Sequence, residues 1–115
     1  MGAAPLRALI LSDIHANLEA FRAVIDDANN RGGFDGLWCL GDQVGYGPDP
    51  VACLKLVQSH SFLAVAGNHD HAAVGKMSVE SFNYAAKAAA HWTTSQLPED
   101  EVEFLSVLPL VANND

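Results

Sequence analysis

Three short apolar runs each end in residues of the kind that bind metal ions. This pairing limits what the chain can fold into more than any other feature. The runs are Ala8-Leu9-Ile10-Leu11, Leu37-Trp38-Cys39-Leu40 and Phe62-Leu63-Ala64-Val65-Ala66, and they lead into Asp13-Ile14-His15, Gly41-Asp42 and Gly67-Asn68-His69-Asp70. Asp13 and Asp42 are 29 positions apart, and Asp42 and Asn68 are 26 apart. Each interval has room for a strand, a loop, a helix and a return, the length of a βαβ unit. Right-handed crossovers make such strands parallel and bring all three loops out at one end. In open α/β sheets ligands bind beyond the carboxyl ends of the strands, where this sequence places Asp, His, Asp, Asn and His.

The intervening residues fill in the units. Strands are predicted over residues 7–12, 36–40 and 62–66. Asn17 is placed to cap a first helix, with Glu19 suited to its dipole. Leu18, Phe21, Val24, Ile25 and Ala28 give that helix one apolar face, and Asn29-Asn30-Arg31-Gly32-Gly33 ends it. Asp49-Pro50 starts a second helix with Val51, Leu54 and Val57 inward, finishing near Ser59-His60. The alanine-rich stretch Ser78 to Gln96 predicts one long helix. Pro98 to Ser106 predicts a short one with Val102 and Leu105 inward. Trp38 and Phe62 read as core. The fold class is α/β, with parallel βαβ units and flanking helices in a single domain over residues 1–115.

Composition removes several functions. A chain of 115 residues suits one small domain. Half its residues are apolar, as in a globular protein rather than a disordered one. No apolar run approaches the roughly 18 residues needed to span a membrane. A net charge of -8 with six Lys and Arg disfavours general nucleic-acid binding. The same acidity is unremarkable beside bound cations. Cys39 and Cys53 are isolated thiols that read as small buried hydrophobes. There is no disulfide framework, and Met1-Gly2-Ala3-Ala4-Pro5 does not open a secretory signal. A cytoplasmic location is therefore expected.

Positions i and i+2 of an extended strand face the same way, so Asp13 and His15 can reach one ion. Asp42 follows a glycine that lets the backbone approach closely, and its two oxygens can bridge two ions. Asn68 offers a neutral amide oxygen. Such mixed N and O donors suit Mn, Fe, Zn, Ni or Co. His60 reads as a surface residue, His71 as an exposed loop residue and His91, beside Trp92, as structural. Tyr46 either lines a pocket or covers the entry to the second helix.

In order, type and spacing, Asp13-Ile14-His15, Gly41-Asp42 and Gly67-Asn68-His69-Asp70 resemble the signature of the calcineurin-like metallophosphoesterase superfamily. The resemblance implies an α/β/β/α sandwich, of which this chain matches the N-terminal half. It implies two divalent transition metals, one on Asp13 and His15, the other on Asn68, with Asp42 bridging. His69 would face a small phosphoester substrate together with Asn68 and act on the leaving oxygen, its ring oriented by Asp70. A hydroxide held between metals roughly 3.5–4 Å apart would attack phosphorus. The segment Val44-Gly45-Tyr46 lacks the arginine of the phosphoprotein phosphatases. It is more similar to small bacterial and archaeal phosphodiesterases and diadenosine-tetraphosphatase-like proteins.

The family's later His-Gly and Gly-His-x-His ligand motifs have no counterpart here, and His71 and His91 match neither. The resemblance therefore implies weak binding of one metal and slow turnover, if any. It also implies an apolar sheet face that is covered by self-association or by a missing C-terminal segment. The alternative is a non-catalytic scaffold of the same fold that binds proteins. The presence of His69 favours enzyme ancestry.

Overall fold

The computed structural model describes residues 6–113, and for Ser61 and Phe62 the backbone only. The readings made on Met1–Pro5 and on the Phe62 side chain lie outside the described residues. The elements run β1 Ala8–Leu11, α1 Leu18–Asn30, β2 Gly36–Cys39, α2 Pro50–His60, β3 Ser61–Ala64, α3 Asn68–Ala73, α4 Tyr84–Gln96 and α5 Glu99–Val107. The three strands form one parallel sheet in the order β1-β2-β3. Leu9 pairs with Leu37 and Leu11 with Cys39, while Trp38 pairs with Leu63 after a register shift.

Alternation along the strands gives the sheet two unlike faces. Leu9, Leu11, Leu37, Cys39 and Ala64 pack with Phe21 and Ile25 of α1 and Cys53 and Val57 of α2. Leu54 of α2 turns instead toward a second cluster with Val44, Ala73 and Leu105. Helix α2 thus ties the sheet to α3 and α5. On the other face Ile10 is 53% exposed and Leu40, just beyond β2, is 55% exposed, with Trp38 half-buried between them. Parallel sheets are normally covered on both sides.

Helix α1 follows its sequence cues. The Asn17 side chain accepts from Ala20 N at 3.1 Å, and Gly33 N donates to Ala28 O at 2.9 Å past its end. Several expectations are corrected. The strands are shorter than predicted because their ends bend into the loops that carry the ligand-type residues. Val24 is exposed and Val51 and Val102 are only half-buried. The alanine-rich helix starts at Tyr84, not Ser78, because Asn83 caps it by accepting from Ala86 N at 2.9 Å. Upstream, Ser78 Oγ accepts from Glu80 N, a local bond that competes with helix. The Gly-Asn-His-Asp stretch, read as a loop, becomes the start of α3, so His71 is a half-buried helical residue. His91 is exposed and has no core role. His60 is half-buried, its ring 5.6 Å from that of Phe34. Among the described residues no helix is long and apolar enough to cross a membrane.

Candidate metal centre

The loops after β1 and β2 stay paired beyond the strands. Leu40 N donates to Leu11 O at 2.8 Å, Asp13 N to Gly41 O at 3.0 Å, His15 N to Asp42 O at 2.9 Å and Ala16 N to Gln43 O at 2.9 Å. Within these two loops Asp13, His15, Ala16, Asp42 and Tyr46 all take a left-handed backbone, with φ of 59°, 49°, 56°, 55° and 62°. Each such non-glycine position costs about 1 kcal/mol or more, and strain of this kind gathers at functional sites. The sequence signals none of it beyond the motifs themselves.

The third motif closes on the second. A side chain at Gly67 would run into the Asp42 carboxylate, so only glycine lets β3 arrive there. Asp42 Oδ1 accepts from His69 N at 3.0 Å. Asp70, fully buried, accepts from Gln43 N at 2.9 Å, Gln43 Nε2 at 2.8 Å, Val44 N at 3.2 Å and Gly67 N at 3.0 Å. Gln43 Nε2 also donates to Val65 O at 3.1 Å. Burial pushes the Asp70 carboxyl above its ordinary value, while the N–H groups of Gly67 and Val44 pull it back. This corrects the expectation that Asp70 orients the His69 ring. Among the described hydrogen bonds its oxygens are taken by the loops, and His69 Nδ1 is buried with no partner.

His15, Asp42 and His69 converge, with one ligand-type atom from each lying within 4.8 Å of the others. His15 Nδ1 lies 2.9 Å from Val44 O. A carbonyl can only accept, so Nδ1 carries the proton and Nε2 presents a lone pair, the arrangement of metal-ligating histidines. Asp13 reaches the group from outside, its Oδ1 3.4 Å from His15 Nε2 and its side chain 60% exposed. The Ser12 hydroxyl holds its carboxyl below the usual value, opposed next by burial, with smaller downward contributions from His15 and Asp42. Asn68, the first residue of α3, is exposed and makes no side-chain hydrogen bond among those described.

The ring centroids of His15 and His69 are 4.9 Å apart, that of Tyr46 is 5.2 Å and 5.0 Å from them, and that of Phe82 is 4.9 Å from His69. Tyr46 therefore borders the site. Gln43, Val44 and Phe82 are site residues that the motifs do not announce. No Lys or Arg takes part in the site's described hydrogen bonds or ion pairs. Two carboxylates and two imidazoles converging without a cationic side chain make a donor set that fits a divalent ion.

The fold is shared with known proteins. The crystal structure of a metallophosphoesterase from Sphaerobacter thermophilus superposes with a TM-score of 0.76 at 46% identity, over 92% of this chain and 42% of that one. An uncharacterised protein of Methanocaldococcus jannaschii is 43% identical over 102 residues, 89% of this chain and 42% of its own length. The symmetrical bis(5'-nucleosyl)-tetraphosphatase of Glaesserella parasuis is 36% identical over 63 residues, 53% of this chain and 23% of that protein. The chain thus spans less than half the length of these relatives. The calcineurin-like phosphoesterase family model matches residues 6–115, a span holding all three motifs and the loops that join them, and the chain belongs to that family.

Proposed function

We propose that this chain is the N-terminal part of a metal-dependent phosphoesterase that hydrolyses phosphodiester or phosphomonoester bonds of nucleotide-like compounds. The observation that carries the reading is the convergence of His15, Asp42 and His69 donor atoms within 4.8 Å. His15 and Asp42 would hold a divalent ion, Mn, Fe, Zn, Ni or Co, with Asp13 on its open side; Asn68 would serve a second ion or the substrate. Such ions lower the pKa of water and neutralise charge on phosphoryl oxygens.

The protein's own groups do the rest. Val44 O keeps His15 in one tautomer. His69 N fixes the Asp42 carboxylate. His69 Nδ1 is buried, so Nε2 is the atom that can meet a substrate and give a proton to the departing oxygen. Asp70 keeps the two loops in place rather than acting on the ring.

The test is Mn2+ binding to the 115-residue chain by electron paramagnetic resonance, with hydrolysis of bis-p-nitrophenyl phosphate alongside. We expect weak binding of about one equivalent and slow turnover, both lost in Asp42→Asn. Undiminished binding and rate in that variant would overturn the proposal.

The open sheet face belongs to the same reading. We propose that it is covered by the part of the family fold that the chain does not span, and that the isolated chain buries it by self-association. Sedimentation velocity should show association that weakens on Ile10→Asp or Leu40→Lys. A compact monomer at all concentrations would remove this expectation.

A further inference from the structure

Tyr46 stands at the mouth of the centre for reasons built into its neighbours. A Cβ at Gly45 would lie 2.7 Å from His69 Nδ1, so that backbone is pressed flat on the imidazole. A Cβ at Gly47 would meet the His15 carbonyl and the Ala16 backbone, so the following backbone is pressed on the first loop. Tyr46, held between them at a left-handed φ of 62°, has only the outside left. The residue is 50% exposed, although its ring contacts His15 and His69.

Beyond Tyr46 lies an open depression of about 320 Å³ lined by Tyr46, Gly47, Pro48, Ala89 and Trp92. That volume is at the small end of ligand sites, roughly 300–1,000 Å³. Trp92 is 43% exposed and rises from α4 one turn after Ala89, whose short side chain leaves the floor open. Two exposed aromatic rings thus border one depression, and one of them also touches the imidazoles of the candidate centre.

We propose that Tyr46, Trp92 and Pro48 form a platform for the nucleobase of a nucleotide whose phosphate sits at the His15–Asp42–His69 centre. Stacking on aromatic rings is sequence-tolerant, because every base has a π-face. The platform therefore selects for a base without choosing which one. The proposal rests on the metal-dependent reading for the phosphate end only.

Binding to the chain is measured by calorimetry with Mn2+ present, using adenosine 5'-monophosphate and ribose 5-phosphate, which lacks the base. The nucleotide is expected to bind about tenfold tighter, a difference of about 1.4 kcal/mol. Trp92→Leu should bring the two ligands to within about threefold and leave Mn2+ affinity unchanged, and Tyr46→Ala should act in the same direction. Equal binding of the two ligands to the unaltered chain overturns the platform, as does an advantage that survives both substitutions. Adenosine without Mn2+ separates this failure from that of the metal reading. Saturation transfer to its ring protons that is lost in Trp92→Leu upholds the platform even if Mn2+ does not bind. No transfer to adenosine from the unaltered chain overturns it.

Discussion

Asp13 and Asp42 follow adjacent parallel strands, and both adopt a left-handed backbone, yet the chain holds them differently. The Asp42 carboxylate accepts from His69 N, and the loop behind it is fastened by the buried Asp70 through bonds to Gln43 and Val44. The Asp13 carboxylate is largely exposed and has Ser12, His15 and Asp42 as its neighbours. One half of the candidate centre is therefore set before any ion arrives, and the other is left adjustable. A site whose donors are fixed by buried, hydrogen-bonded groups loses little on binding. A site whose donors must be gathered pays that ordering at the moment of binding.

The two halves differ most at Asp70. Asp70→Ala leaves Gln43 Nε2 and the N–H groups of Gln43, Val44 and Gly67 without their partner. Each unsatisfied buried group costs about 1–3 kcal/mol. With local relaxation the expected loss is about 3–5 kcal/mol, a large share of the roughly 5–15 kcal/mol of an ordinary domain. Asp70→Asn should lose about half as much, since its oxygen still accepts from the Gln43 and Val44 N–H groups while its amide faces two donors. Urea midpoints measure both. A stability change below about 1 kcal/mol in Asp70→Ala would mean that this half of the centre is not fastened as described.

Asp42→Asn sharpens the contrast between fastening and binding. The amide oxygen can still accept from His69 N, so stability should stay within about 1 kcal/mol. Mn2+ affinity should fall at least tenfold, about 1.4 kcal/mol or more. Asp13→Asn comes next in size: exposed substitutions usually stay within about 0.5 kcal/mol, and Mn2+ affinity should drop about threefold. Titration of both variants by electron paramagnetic resonance gives the order. A larger loss at Asp13 than at Asp42 would reverse the assignment of the fixed and adjustable halves.

The same divide governs what the sequence discloses. The parallel sheet is legible because the three motifs recur at βαβ intervals and their strands are apolar. The positions of Asp13, His15, Asp42 and His69 at one end follow from that alone, and Asn17 as a cap is a local signal. Gln43 is not legible, since a polar residue between Asp42 and Val44 looks like a loop residue until its partner, 27 positions on, is known. Asp70 is legible as a site residue but not in its role, because the family resemblance implies His69 as its partner while the fold delivers the loop of β2. Helix α3 is hidden because its start coincides with a ligand motif, and a run of six residues is too short for periodicity to register. The true start of α4 depends on whether Ser78 or Asn83 caps, and propensity does not decide between them.

A finer probe of the fixed half is the thiol beneath it. Cys39 ends β2, immediately ahead of the Asp42 loop, and Cys53 sits on α2; both are buried, and burial pushes each thiol up to about 11. An unperturbed cysteine titrates near 8.5, and only the thiolate reacts. At pH 8 the folded thiols thus carry roughly 1/250 of the thiolate of a free one, besides being out of reach. Labelling by iodoacetamide must then proceed through opening, and its rate reports how often each region opens. Mass spectrometry of the labelled peptides separates the two sites. Asp70→Asn should speed labelling of Cys39 more than that of Cys53, because the bonds it weakens close the loop directly after Cys39. Asp13→Asn should change neither. Equal acceleration at both cysteines in Asp70→Asn would indicate that the domain opens as one unit, and that the firmness of the Asp42 half is a property of the whole core rather than of the clamp around Asp70.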